Sequence, residues 1–120
     1  MRCPRCDANI NDEMDICRFC GQDLSIIYHV RRISNAYYNM GLEKAQVRDL
    51  SGAVMVLKKS LQFDKYNTNA RNLLGLVYNE LGETVAALSE WVLSRYLQPE
   101  NNRAQYYINV IQKNQTALDA

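Results

Sequence analysis

The middle of the chain contains one pattern written twice. Residues 34–67 read SNAYYNMGLEKAQVRDLSGAVMVLKKSLQFDKYN, and residues 68–101 read TNARNLLGLVYNELGETVAALSEWVLSRYLQPEN. The matches across the two segments include Gly41 with Gly75, Ala53 with Ala87 and Ser60 with Ser94, and the large apolar Leu57 recurs as Trp91. Matched residues that recur at a fixed period of 34 indicate stacked helix–turn–helix units. The sequence therefore predicts a mainly α fold with two helical hairpins at its centre.

The second segment resembles the motif of the tetratricopeptide repeat (TPR) family. The matching residues are Leu74, Gly75, Tyr78, Ala87, Trp91 and Pro99. The first segment departs from this motif at two positions, where Lys44 replaces the tyrosine and Lys65 replaces the proline. The resemblance implies a TPR domain over 25–120 with repeats at 34–67 and 68–101. Such arrays stack their hairpins and use the concave face for binding.

Helical periodicity extends beyond the two repeats. Ile26, Val30, Ile33 and Tyr37 fall on one helical face, which predicts a long first helix over 25–47. A capping helix over 102–117 matches the first helix of a third repeat. Its inner face contains Ala104, Tyr107, Ile108 and Ile111, and its outer face contains Gln105, Asn109 and Gln112. A polar outer face is what the last helix of an array needs for solubility.

Local signals predict where helices begin and cross. Ser51 is a candidate N-cap for the second helix and Asn67 for the third, because side-chain oxygens accept from the first free N–H groups. Pro99 blocks continuation of the fourth helix. Gly75 inside a helix costs about 1 kcal/mol relative to alanine, so we expect a second helix to cross there. Ala87 is the expected small residue opposite Gly75.

All four cysteines lie in the first twenty residues. Cys3 and Cys6 form one Cys-x2-Cys turn, and Cys17 and Cys20 form another. Two such turns can direct four thiolates at one metal ion. The segment 1–24 resembles the small zinc ribbon of many bacterial proteins, which implies one structural Zn²⁺. Asp7 stands where that family has glycine, and aspartate tolerates the left-handed conformation.

Three other uses of the cysteines remain open. Four thiolates can also hold iron, as in a rubredoxin-type centre. Two disulfides are disfavoured because nothing in the sequence indicates secretion, and a redox dithiol because no βαβ pattern surrounds it. Zinc is favoured because this segment has few apolar residues. Their burial alone cannot offset the entropy lost when the backbone is ordered, so a metal is needed. Arg2, Arg5 and Arg18 flank the thiolates; we expect them to compensate the charge of the metal centre rather than to contact phosphate.

The resemblance also implies a binding groove. Its positions on the first helix of each hairpin and on the capping helix are Asn35, Tyr38, Leu42, Gln46, Asn69, Asn72, Leu76, Asn79, Arg103, Tyr106, Val110 and Lys113. Amides suit hydrogen bonding to an extended backbone, and tyrosines are common interface anchors. The expected occupant is a peptide or helix of a protein partner.

Composition narrows the function classes. The formal net charge is +1, and no region has the density of lysine and arginine that polyanion binding requires. There is one histidine, no glycine-rich phosphate loop and no long apolar run, so the sequence favours a non-enzymatic cytoplasmic adaptor. The alternative is a nucleic-acid-associated factor that uses the zinc ribbon for contact and the array for recruitment.

The first turns of the long helix project beyond the repeats. They carry an apolar stripe formed by Ile26, Ile27, Val30 and Ile33. Two surfaces could cover this stripe: the cysteine segment through Met14 and Phe19, or the same stripe of a second molecule. Because the cysteine segment has few apolar atoms, we expect a homodimer through this helix.

Overall fold

Helices form most of the molecule. The structure is a computed structural model that describes residues 3, 5–11 and 14–119, with side chains to Lys113. Its helices are α1 (Ser25–Gln46), α2 (Leu50–Phe63), α3 (Thr68–Glu80), α4 (Thr84–Leu97) and α5 (Ala104–Asp119). Within the described ranges there is no strand beyond an isolated bridge between Ile16 and Asp23. The predicted mainly α fold class is confirmed. None of the helices in these ranges is long and apolar enough to cross a membrane.

The helix ends depend on short polar side chains. Asn67 caps α3, because its side-chain oxygen accepts a hydrogen bond from the N–H of Ala70 at 3.2 Å. The expected cap of α2 is wrong: Asp49 takes this role by accepting from the N–H of Gly52 at 3.1 Å. Ser51 already lies inside the helix, which begins one residue earlier. Aspartate and serine are equally good caps, so the sequence alone did not rank them.

The two helix glycines make room for large side chains. A Cβ on Gly75 would meet the indole of Trp91, and a Cβ on Gly41 would meet the side chain of Leu57. The expectation that Ala87 faces Gly75 is therefore wrong. The close neighbour is Trp91, one helical turn further along α4, because the flat indole lies against the bare backbone of α3.

Two buried clusters form the core of the helices. The first joins α2 to α3 through Ala53, Leu57, Ala70, Leu74 and Val77. The second joins α4 to α5 through Ala87, Trp91, Ala104, Ile108 and Ile111, with Tyr107 packed against it. The inner face predicted for the last helix is thus confirmed. Its predicted polar face, Gln105, Asn109 and Gln112, is exposed.

A buried polar joint links α1, α2 and α3. Ser34 Oγ donates to the carbonyl of Ser60 at 2.8 Å, and Ser60 Oγ donates to the carbonyl of Ser34 at 2.7 Å. The amide of Asn67 donates to Ser34 Oγ at 3.0 Å. Each buried hydroxyl therefore has partners, which removes the cost of burying it. Asn102 repeats this arrangement at the next joint, where its amide donates to Ser94 Oγ at 2.9 Å.

The start of α1 packs against the cysteine segment, residues 3–24. Leu24 is fully buried against Cys3 and Cys17, and Ile27 and Tyr28 pack on the same cluster. The Tyr28 hydroxyl donates to the carbonyl of Asn11 at 2.5 Å. These contacts tie the cysteine segment to the first turns of the helix.

The apolar stripe at the start of α1 is partly covered. Ile27 packs against the cysteine segment, together with Met14, whereas Ile26 is 69% exposed. Phe19, which was expected to share the covering, is 71% exposed, so this expectation is wrong. Leu24 is buried there instead, a residue that the sequence pattern did not single out.

Candidate functional site

The four cysteine sulfurs meet at one point. The sulfurs of Cys3, Cys6, Cys17 and Cys20 all lie within 4.8 Å of one another. Cys3 Sγ is 3.5 Å from Cys20 Sγ, and Cys6 Sγ is 3.6 Å from Cys17 Sγ. These are free cysteines, since a disulfide would need about 2.05 Å. Sulfurs placed tetrahedrally at about 2.3 Å from a central ion are about 3.8 Å apart, so the cluster fits a metal ion.

Two backbone turns of matching geometry present the sulfurs. Asp7 has φ of 61° and Gly21 has φ of 78°, so both occupy the left-handed region. Asp7 adopts the left-handed conformation that aspartate was expected to tolerate at this position. Each turn is closed by the same two backbone hydrogen bonds: Asp7 N–H to Cys3 O, Cys3 N–H to Ala8 O, Gly21 N–H to Cys17 O, and Cys17 N–H to Gln22 O.

The turns aim backbone N–H groups at the sulfurs. The N–H of Phe19 is the largest cause that lowers the pKa of Cys17 to about 6, and the N–H of Cys20 acts in the same direction. The N–H of Cys6 likewise lowers the pKa of Cys3. Because donors to sulfur favour its charged form, they shift the first cysteine of each turn towards the thiolate.

Without a cation, the second cysteine of each turn has a raised pKa. The N–H of Ala8 favours the thiolate of Cys6, but burial and the neighbouring thiols outweigh it and raise its pKa to about 12. The N–H of Gln22 favours the thiolate of Cys20, yet burial and the Cys3 and Cys17 sulfurs raise that pKa as well. A bound dication would reverse this preference, because coordinated thiols are deprotonated.

Charged side chains surround the sulfur cluster. Arg5 and Arg18 lie on the two turns and are exposed. Arg2, the third flanking arginine of the sequence, lies outside the described residues.

A polar pocket of about 170 Å³ lies where α1, α3 and α5 approach one another. Four of the predicted groove residues line it, from α1, from α3 and from the position just before α5: Tyr38, Asn69, Asn72 and Arg103. Five further residues complete the lining: Thr68, Gln98, Asn101, Asn102 and Tyr107. The pocket therefore combines amide side chains with one guanidinium, and none of these residues is acidic.

Asn72 has an unsatisfied acceptor at this pocket. Its amide Nδ2 donates to Asn102 Oδ1 at 2.7 Å. Its Oδ1 is buried and has no hydrogen-bond partner among the described residues. Buried polar atoms are nearly always paired, so this oxygen is an exception among the described residues.

Arg103 places a positive charge at the rim of the pocket. Its guanidinium lies over the rings of Tyr106 and Tyr107, at 5.3 Å and 5.9 Å from their centroids. Tyr106 is 57% exposed, so the stacked pair presents a flat amphipathic surface. Such a surface suits binding of a polar chain with one acidic or carbonyl group.

The remaining predicted groove residues are used in different ways. Asn35 accepts a hydrogen bond from Asn67 at 3.0 Å, and Leu76 packs against the second buried cluster. Leu42 is half-buried. The others are exposed and lie outside the pocket: Gln46, Asn79, Val110 and Lys113.

Sequence reasoning missed the loop side of the pocket. Gln98, Asn101 and Asn102 belong to the connection between α4 and α5, which the period of the repeat treats as a spacer. The only sequence signal for this side of the pocket was the cluster of amide residues that follows Leu97. Thr68 Oγ1 donates to Gln98 Oε1 at 2.6 Å and so attaches this loop to the start of α3.

Comparison with known proteins gives no further assignment. No protein-family model matches the chain, and no curated protein is detectably similar to it. The fold and the site define a five-helix array preceded by four cysteines that could bind a metal ion. A function must be argued from these residues themselves.

Proposed function

We propose that this chain is a non-enzymatic cytoplasmic adaptor: a TPR-like array that binds a peptide or helix of a protein partner, joined to a structural zinc ribbon. The observation that carries the proposal is the polar pocket lined by residues of α1, α3, α5 and the loop before α5. Four residues expected in a binding groove line this pocket.

A peptide group matches the chemistry of the pocket. Its N–H can donate to the side-chain oxygen of an exposed pocket amide such as Asn69, and its carbonyl oxygen can accept from the Arg103 guanidinium or from a pocket amide. The cavity of about 170 Å³ has room for a short polar segment but not for a large cofactor. Tyr106 supplies an exposed anchor beside the pocket, as tyrosines do at many interfaces.

The cysteine cluster fits one zinc ion. Four thiolates in a closed tetrahedral arrangement are the usual ligands of structural Zn²⁺, although iron accepts the same donor set. When bound, zinc supplies stability to a segment whose own buried cluster contains few large side chains. Because Leu24 packs between the cysteines and α1, that stability extends to the first turn of the helix.

The stripe of α1 remains a proposed dimer surface. Ile26 is exposed, Val30 and Ile33 are half-buried, and Ile27 already packs against the cysteine segment. A second copy that packs on this stripe would cover Ile26 first. Analytical ultracentrifugation of Ile26→Asp with Val30→Asp tests this contact, and a mass unchanged from the parent contradicts it.

A nucleic-acid-associated role is the second candidate. Arg5 and Arg18 are exposed on the two turns that carry the cysteines, where they could reach a phosphate backbone. Binding of this kind weakens steeply as salt rises, whereas capture of a peptide by amides does not. A binding titration of single-stranded and duplex oligonucleotides at low and high salt separates the two functions.

The pocket proposal is tested by variants that leave the core intact. Asn69→Ala changes an exposed side chain that lines the pocket, and Tyr106→Ala changes the exposed ring that stacks with Arg103 beside it. Tyr66→Ala changes an exposed tyrosine that does not line the pocket. Partners captured from lysate of the source cell should be lost with the first two variants and retained with Tyr66→Ala. Equal capture by all three variants would place the binding surface elsewhere.

A further inference from the structure

The outer face of α4 carries an exposed apolar patch. Its members are Val85, Leu88, Ser89, Val92, Leu93 and Tyr96, which border one open depression. Val85 and Tyr96 are each 80% exposed. Val92 and Leu93 are also exposed, at 45% and 39%. A contiguous apolar surface of this kind is a usual mark of an interaction site.

The repeat provides an internal comparison for this patch. One period earlier, on α2, the residues that match Val85, Val92, Leu93 and Tyr96 are Ser51, Lys58, Lys59 and Gln62. All four are exposed. The fold therefore does not require apolar side chains at these four positions, although Met55, which matches Ser89, is 71% exposed on α2.

The array uses only one edge of this face of α4, where Leu88 packs against the second buried cluster. Helix α5 packs on the opposite side, against Ala87 and Trp91. The members of the patch that lie furthest out, Val85 and Tyr96, belong to no buried cluster of the described residues.

The spacing of the patch is that of a helix-pairing seam. Val85, Ser89, Val92 and Tyr96 are separated by four, three and four residues, the alternation that keeps one stripe facing a partner helix. Ser89 is small and lies near the middle, which allows close approach. Its hydroxyl donates to the carbonyl of Val85 at 3.0 Å, so burial leaves no unpaired donor.

We propose that a second copy of this chain covers the patch, with the two α4 helices antiparallel about a two-fold axis. The patch is symmetric along the sequence about the midpoint between Glu90 and Trp91. In an antiparallel pair, Val85 therefore lies opposite Tyr96 of the second copy, and Ser89 lies opposite Val92. Every member meets another member of the same patch, as an isologous interface requires.

Size and charge define the strength of the pair. None of the patch residues is charged, and the neighbouring Arg95 donates to Gln105 at 2.6 Å, so no like charges are forced together at the axis. The exposed side chains present on the order of 400 Å² of apolar surface, about half of what each partner contributes to a standard interface. An interface of this size is expected to give a weak dimer.

Sedimentation over a concentration series tests this proposal. The proposal is independent of whether the predicted groove binds a peptide. The full chain should move from monomer towards dimer between about 1 and 300 µM. Val92→Asp with Tyr96→Asp should raise the dissociation constant at least tenfold. The matched control, Lys58→Asp with Gln62→Asp, places the same aspartates at the equivalent positions of α2 and should leave it unchanged.

Two results would overturn the α4 pair. One is a parent chain that stays monomeric throughout the series. The other is a dimer whose dissociation constant is the same in the α4 variant and in its α2 control. A dimer that is lost only with Ile26→Asp and Val30→Asp is one such case. Circular dichroism checks that each variant is folded. If the double variant melts below the parent, Tyr96→Asp alone, at a position 80% exposed, decides between the outcomes.

Discussion

Trp91 occupies the space where Gly75 has no side chain. A Cβ built on Gly75 would lie 2.6 Å from Cε2 of the indole, well inside van der Waals contact. The indole Nε1–H donates to the carbonyl of Asn72 at 3.1 Å, one turn before the glycine. The same residue that closes the core of the second hairpin therefore fixes the backbone beside the polar pocket.

Replacement of Gly75 by alanine should destabilise the fold. Alanine gains about 1 kcal/mol of helix propensity, but the rigid indole cannot yield, and overpacking costs about 1–3 kcal/mol or more. Gly41→Ala is the matched control: its Cβ would lie 2.6 Å from Cδ2 of Leu57, whose methyl groups can rotate. Urea unfolding should show a larger loss for Gly75→Ala, and an equal or smaller loss would contradict this account of the glycine.

Trp91→Ala should be among the most harmful single changes. The side chain is 1% exposed and lies 5.3 Å from the Tyr107 ring, centroid to centroid. Its removal leaves a large cavity and should lower the free energy of unfolding by about 3–5 kcal/mol. Trp91→Phe should cost less, because it keeps an aromatic ring there. Circular dichroism melts measure both, and a Trp91→Ala melt within a degree or two of the parent would contradict the assigned core.

The fold could be predicted further than the site. The period of 34 and the spacing of the apolar residues predicted all five helices, because residues on the buried face of a helix recur every three or four positions. The opposition of Gly75 and Trp91 could not be read in this way, since it depends on how two helices are offset. The loop side of the pocket was missed for a related reason: Asn101 matches Asn67 at the period of 34, but only tertiary packing brings it and Asn102 to Asn72.

The metal content of the protein tests the cysteine cluster. Purified protein should contain one equivalent of zinc and almost no thiol that reacts with Ellman's reagent. Cys17→Ser removes a buried ligand and should lose the metal together with the ordered start of α1, because Leu24 packs against Cys17. Ser25→Ala, at an exposed neighbouring position, is the control. Unchanged metal content in Cys17→Ser would contradict the site, and iron in place of zinc would correct the metal.

Acid should release the metal. The pKa of Cys17 is lowered to about 6 from 9.0, so the folded metal-free site favours its thiolate. The stability from this preference is fully present above pH 9.0 and is lost as the pH falls through about 6. Protons compete with the ion in the same direction, so zinc should stay bound at neutral pH and appear with an indicator dye below about pH 6. Full retention at pH 4 would contradict this.

The central claim is that the pocket between α1, α3 and α5 binds a protein partner. A photo-crosslinking amino acid at Asn69, which is exposed at the pocket, tests it in the source cell, with Gln62 on α2 as the exposed control. Irradiation should give a defined crosslinked protein from position 69 and not from position 62, and Tyr106→Ala should abolish it. A crosslink that forms equally from both positions, or one that persists in Tyr106→Ala, would contradict binding in this pocket.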